Sequence, residues 1–298
     1  MSLVAIDDAD VAAARALRVE FAKFWSGAQG DFRDVYDTFI GATPLAKGVT
    51  TRESTDDPAP GWWCEPVDAV PDHAILFVHG GGYGLGHAAA YRGFASQIAA
   101  RAHAPVFALE YPLAPEATLG VALELAVATL AKLAARFPSV AVVGDSAGGG
   151  LSLATVLGAG RRGIPVCSLV AFSPWTDLSL GGDSVRAFAV ADPLLAPDYL
   201  RASAAAYLGP APATDPRASP LFDNLATLPP ALIQVGSDEI LRDDSKRFAE
   251  RAQAAGRDVT LEEWQGMHHV FQLNTQQLAA ARHALARTAA FLASHWKA

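Results

Sequence analysis

The chain has 298 residues, 51% hydrophobic and 18% charged, with a net charge of −8. That composition excludes disorder as the main state and allows one large α/β domain with an appendage, or two small domains. No Lys/Arg cluster offers a footprint for nucleic acid. The two cysteines, Cys64 and Cys167, are too few for a disulfide framework or a cysteine-rich zinc site. They read as small buried hydrophobes in a reducing compartment. Asp7, Asp8 and Asp10 interrupt the N-terminus before a signal-like apolar run forms. The aliphatic runs, such as 75–78, fall far short of the roughly 20 residues a membrane span needs. The expectation is a cytoplasmic protein with neither nucleic-acid nor membrane partners.

In chain order, the first 45 residues read as helical. Val11, Ala14, Leu17, Phe21 and Phe24 recur at three- and four-residue steps, and a second helix begins at Asp31 as N-cap and stops at Gly41. The aromatics of this segment either pack on a neighbour or also cover an apolar pocket. From about residue 60, short apolar runs at 75–78, 106–109, 140–143, 168–172 and 232–235 alternate with helical stretches. The helical stretches are 89–102, 116–137, 147–158, 242–255 and 276–296. Runs of this kind suit strands buried on both faces, so the fold class is α/β with a doubly wound, mostly parallel sheet. Residues 178–228, rich in proline, read as an insertion over the end of that sheet.

Two glycine motifs follow strands directly. Gly144-Asp145-Ser146-Ala147-Gly148 stands between a strand and a helix, the context that holds a serine out on a strained turn at the sheet's C-terminal edge. By composition a chance GxSxG occurs in roughly one such chain in ten, and a chance HGGG in roughly one in two hundred. His79-Gly80-Gly81-Gly82 is therefore the stronger signal. Its backbone can approach a substrate carbonyl, so the Gly81 and Gly82 amides with that of Ala147 form a candidate oxyanion hole. Its spacing is not that of a phosphate-binding loop. His79 reads as a brace for the glycine loop, and His87 as an exposed side chain.

A serine nucleophile needs a base and an orienting acid. Of the four histidines after Ser146, His283 and His295 fall on the terminal helix, whereas His268 and His269 lie in a loop past the strand-like segment 259–264. Asp238, just after the run 232–235, leads the acid candidates, with Glu239 and Asp177 as alternatives. Asp243 and Asp244 read as caps of the helix that follows.

Together, His79–Gly82, Gly144-Asp-Ser-Ala-Gly-Gly149, Tyr111-Pro-Leu-Ala-Pro-Glu116 and Gly266-Met-His-His-Val-Phe271 resemble the bacterial hormone-sensitive-lipase-like esterases. These are the branch of the α/β-hydrolase fold whose elbow reads GDSAG, and the resemblance runs from about residue 60 to the C-terminus. It implies His269 as base and Asp238 as acid, since the family's acid opens a short Asp-x-Leu/Ile segment. It also implies a helical cap formed by residues 1–45 and 185–215, over a catalytic domain of 46–184 and 216–298. No metal or cofactor is implied. Pro112 in place of the usual arginine, and Glu239 in place of a frequent proline, depart from the pattern without touching an expected catalytic group.

The expected activity is a serine carboxylesterase using Ser146, Asp238 and His269 on short- to medium-chain acyl esters and water. The alternatives are a lactone hydrolase with the same triad, an amidase or peptidase, and a non-catalytic small-ligand-binding protein. Tyr83, Leu85, Trp175, Phe188, Leu194 and Val270 flank the motifs as candidate pocket residues. Segment 259–264 reads as an exposed edge strand on which a homodimer could form.

Overall fold

The computed structural model describes residues 2–187 and 192–296. The chain opens with β1 (Ser2–Val4), then two helices, α1 (Asp8–Gly27) and α2 (Phe32–Ile40). Asp7 caps α1 by accepting from the Asp10 amide, and Asp31 caps α2 by accepting from the Arg33 amide. After these come β2 (Val49–Ser54), β3 (Gly61–Pro66), β4 (His73–Val78), α3 (Arg92–Ala102) and β5 (Val106–Leu109). The middle of the chain supplies α4 (Val121–Arg136), β6 (Ser139–Asp145), α5 (Ser146–Arg161) and β7 (Ser168–Phe172). Two helices, α6 (Asp183–Arg186) and α7 (Pro197–Leu208), precede β8 (Ala231–Gly236). The last elements are α8 (Arg242–Ala254), β9 (Val259–Trp264) and α9 (Ala279–His295).

Among the described residues the strands form one sheet in the order β1-β9-β8-β7-β6-β4-β5-β3-β2. All neighbours are parallel except the β2–β3 and β3–β5 pairs. The apolar runs work as a period of two requires. Leu76 and Val78 face one core with Leu130, Leu151 and Phe248, while Ile75 and Phe77 face the other with Phe94, Ile98 and Leu292. A third cluster seats Ala14, Leu17 and Phe21 of α1 on Trp264, Met267 and Phe271.

From β4 the chain steps to β5 on one side and then crosses to β6 on the other. The C-terminal ends of β4 and β6 thus adjoin, with Val78 opposite Gly144, at the point where an open α/β sheet forms its crevice. Both glycine motifs emerge there.

Three expectations are corrected. Segment 259–264 is a strand but not the last of the sheet, because β1 pairs through Ser2–Val4 with its second half, Glu262–Trp264. The helix expected from 116 begins at Val121, after Gly120 turns the chain at φ +102°. Asp244 does not cap α8. It is buried and accepts from the Thr176 and Asp177 amides at 2.8 Å, tying α8 to the loop after β7. Residues 178–228 carry no strand among the described residues.

Candidate active site

The sequence around Ser146 forces a tight join between β6 and α5. Ser146 sits at φ +53°, a left-handed conformation that a residue with a side chain adopts only when its surroundings hold it there. Gly148 shows what holds it. A Cβ at that position would lie 2.2 Å from the carbonyl oxygens of both Val78 and His79, so α5 can approach the end of β4 only without a side chain. A Cβ on Gly80 would likewise lie 3.1 Å from the Ser146 Cβ. The His79–Gly82 loop therefore lies directly against the serine.

That loop is braced from below. His79 Nδ1 meets the Gly80 carbonyl at 2.8 Å, and its ring stacks on Tyr111, whose hydroxyl donates to the His79 carbonyl at 2.8 Å. Burial pushes the His79 imidazole down to about 4, which suits a structural brace. Asp145 accepts from the Gly80 amide at 3.0 Å and from the Tyr91 hydroxyl at 3.3 Å. Its carboxyl is pushed up to about 7 by burial, against the pull of the Gly80 amide. Arg33 of α2 reaches the same region, donating to the carbonyls of Gly84 and Ala114 at 2.9 Å and pairing with Glu116. The Gly81, Gly82 and Ala147 amides donate to no backbone acceptor among the described residues, and the Ala147 amide belongs to the open first turn of α5.

His269 Nε2 lies 2.9 Å from Ser146 Oγ. His269 Nδ1 faces not Asp238 but Glu239, with Oε1 at 3.5 Å and neither atom otherwise hydrogen-bonded. Glu239 is fully buried. Its other oxygen accepts from the Ser173 hydroxyl at 2.8 Å, and Ser173 Oγ accepts in turn from the Val270 amide at 3.1 Å. One serine thereby registers the acid loop against the histidine loop.

Asp238 points the other way. Its side chain is 46% exposed, and its carboxylate accepts from Arg18 of α1 and from the Ser237 hydroxyl. Adjacent residues of this turn project to opposite sides, and the side facing His269 belongs to Glu239. The departure at position 239 thus falls on the group that meets the histidine. Asp177, the other alternative, is buried against Arg247 at 2.7 Å. His268 is also turned away: Nε2 meets Asn274 Oδ1 at 2.9 Å, the ring packs edge-on against Phe21, and burial pushes it down to about 4. His87 is half-exposed and pairs with Asp37.

Known proteins carry the same architecture. A family model described as alpha/beta hydrolase fold matches residues 75–273. An acetyl-hydrolase of Streptomyces hygroscopicus is 38% identical over 234 residues, 77% of this chain and 78% of that protein. An esterase of Acinetobacter venetianus is 36% identical over 233 residues, 76% and 77% of the two chains. A crystal structure of an esterase from the bacterial hormone-sensitive lipase family superposes with a TM-score of 0.90 at 35% identity, over 95% of this chain and 98% of that one. The chain belongs to the bacterial hormone-sensitive lipase family. It is an esterase of the α/β-hydrolase fold.

In this member of the hormone-sensitive lipase family, two cavities adjoin at His269. The one beside Ser146, of about 110 Å³, is bounded by Gly81, Gly82, Leu85, Trp175, Tyr36 and Tyr199. The second, of about 370 Å³, opens past Phe21, Phe24 and Asn274. Phe39, Ile40, Leu194, Val270 and Leu273 border both. Of the candidate pocket residues, Leu85, Trp175, Leu194 and Val270 line the cavity at Ser146, while Phe188 lies outside the described residues. Tyr83 is corrected: it lines neither cavity but, from a backbone position at φ +64°, stacks on Tyr207 of α7 with ring centroids 3.8 Å apart. The aromatics of α1 and α2 cover the cavity as well as packing, and Tyr199 of α7 meets Phe32 at 6.5 Å. Their helical spacing in the sequence carried that signal, and α7 carried none. No helix among the described residues is long and apolar enough to cross a membrane.

Proposed function

We propose that this chain is a serine carboxylesterase that hydrolyses short- to medium-chain acyl esters through an acyl-enzyme. The observation that carries the proposal is the line Ser146 Oγ, His269, Glu239, with 2.9 Å and 3.5 Å between successive polar atoms. Catalytic hydrogen bonds are often long before substrate binds, so 3.5 Å is compatible with a pair that tightens in the reaction. His269 takes the Ser146 proton as Oγ attacks the ester carbonyl. The amides of Gly81, Gly82 and Ala147 stabilise the oxyanion at the N-terminus of α5. Glu239 holds the imidazole tautomer and stabilises the imidazolium, the role first expected of Asp238. The alcohol leaves with the proton, and water activated by His269 then releases the acid. Helices α1 and α2, with residues 192–208 of the insertion, act as the cap that keeps bulk water from this chemistry, while Ser2–Val4, expected as cap, belong to the sheet.

The small, aromatic-walled cavity at Ser146 supports a short acyl group, and the relative named acetyl-hydrolase points the same way. On p-nitrophenyl esters from acetate to palmitate, kcat/KM is expected to peak among the short chains and fall steeply beyond them. A rate rising through to palmitate would contradict the preference.

The pH profile follows from His269. Burial alone would lower its imidazole, but Glu239 beside it, with Asp192 and Asp145 further off, outweighs burial and holds it above the ordinary 6.5. Protonated His269 cannot act as base. Activity is therefore expected to be lost as pH falls through a midpoint above 6.5, read from kcat/KM against pH. A midpoint below the ordinary histidine value would contradict the assignment.

A further inference from the structure

Glu239 is buried in a turn, and something must fix that turn. Between β8 and α8 the backbone amide of Ile240, next to Glu239, donates to a side chain from far along the chain: Asp192 Oδ2, at 3.0 Å. The other oxygen, Asp192 Oδ1, accepts from the amides of Leu194 and Leu195 at 2.8 and 3.0 Å. One carboxylate thus joins the segment leading into α7 to the turn that carries Glu239. Leu194 borders both cavities and Leu195 the one at Ser146, so the same carboxylate also holds cavity wall.

We propose that Asp192 is a positioning residue for the catalytic acid: from the insertion between β7 and β8 it grips the turn 238–240 and fixes Glu239 against His269. The inference rests on the triad proposed above. Its physical basis is the acceptor count. Three amides converge on two oxygens, which a carboxylate satisfies and an amide side chain does not, because an Asn NH₂ would confront the Ile240 N–H. Arg18 grips the same turn from its outer side through Asp238, so the acid loop is held by both parts of the cap.

The Asp192 charge also bears on the reaction. Four titratable groups act on or beside His269: Glu239 after β8, Asp192 from the insertion, Asp145 at the end of β6, and His268 on its own loop, with the Arg18–Asp238 pair beyond His268. Asp192 and Asp145 add to Glu239 in favouring the imidazolium. Asp192 also favours the neutral form of Glu239. A residue that only shaped the cap would not touch this balance.

The test compares Asp192→Asn with the wild type and with Asp198→Asn, which removes the same charge from a 97%-exposed carboxylate on α7. With p-nitrophenyl acetate, Asp192→Asn is expected to lower kcat about ten-fold or more while KM moves less than about three-fold. The midpoint of the acid limb is expected to move to lower pH, because a carboxylate favouring the imidazolium is gone. Asp198→Asn is expected to match the wild type in all three. An unchanged kcat and acid limb in Asp192→Asn overturns the proposal. So does a loss confined to KM, the mark of a residue that only shapes the cavity. If Asp192→Asn melts below the assay temperature, Asp192→Glu decides: the retained charge should keep the wild-type acid limb while kcat falls, and a lowered limb there overturns the proposal. A wild type inactive on every ester would instead sink the triad on which the inference rests.

Discussion

Replacing His269 with Ala is expected to lower kcat/KM by about 10⁵- to 10⁶-fold, the scale on which a serine hydrolase loses its base. The imidazole is the group within hydrogen-bonding distance of Ser146 Oγ, and without it the hydroxyl keeps its proton at neutral pH. His268→Ala, one residue away, is expected to retain activity within about ten-fold. Its ring is bonded to Asn274 and packed against Phe21, so its loss is felt as packing under α1 and appears mainly as a lower melting temperature. Steady-state kinetics on p-nitrophenyl acetate with melting curves for both variants check this. A dead His268→Ala beside a live His269→Ala would reverse the assignment.

The second large effect separates two neighbours. Glu239→Gln is expected to lower kcat/KM by about 10³- to 10⁴-fold, because it keeps the volume and the Ser173 contact but removes the charge that stabilises the imidazolium. That is about 4–5 kcal/mol of transition-state stabilisation. Asp238→Asn is expected to cost less than about five-fold. Its carboxylate is half-exposed and paired with Arg18, and such a pair contributes at most about 1 kcal/mol to the position of α1. Both variants measured in one assay, with circular dichroism to confirm folding, decide between the carboxyls. Equal losses would mean that the turn as a whole matters and neither side chain alone is the acid.

Most of the framework is legible in the sequence. The central strands are short runs of apolar residues that must be covered on both faces, and each begins or ends at the residues where the sequence pattern breaks. Ser146 and the glycine loop were legible because strained turns and close backbone approaches restrict residue type. The acid was not. Asp238 and Glu239 both follow β8 directly, and which of them turns inward depends on Arg18, 220 positions earlier in the chain, and on Ser173 and Asp192 from other loops. No local pattern encodes such contacts. β1 escaped for a related reason: three residues carry no periodicity, and their pairing with β9 joins the two ends of the chain. Asp192, read in the sequence only as part of a proline-rich stretch, became informative once its three amide partners were seen.

The most direct test of the acyl-enzyme mechanism is intact-protein mass spectrometry after reaction with a fluorophosphonate, followed by peptide mapping. A single adduct on Ser146, formed in step with loss of esterase activity and absent from Ser146→Ala, is the result the site geometry predicts. Full loss of activity with the adduct on another residue, or ester hydrolysis persisting in Ser146→Ala, would contradict it.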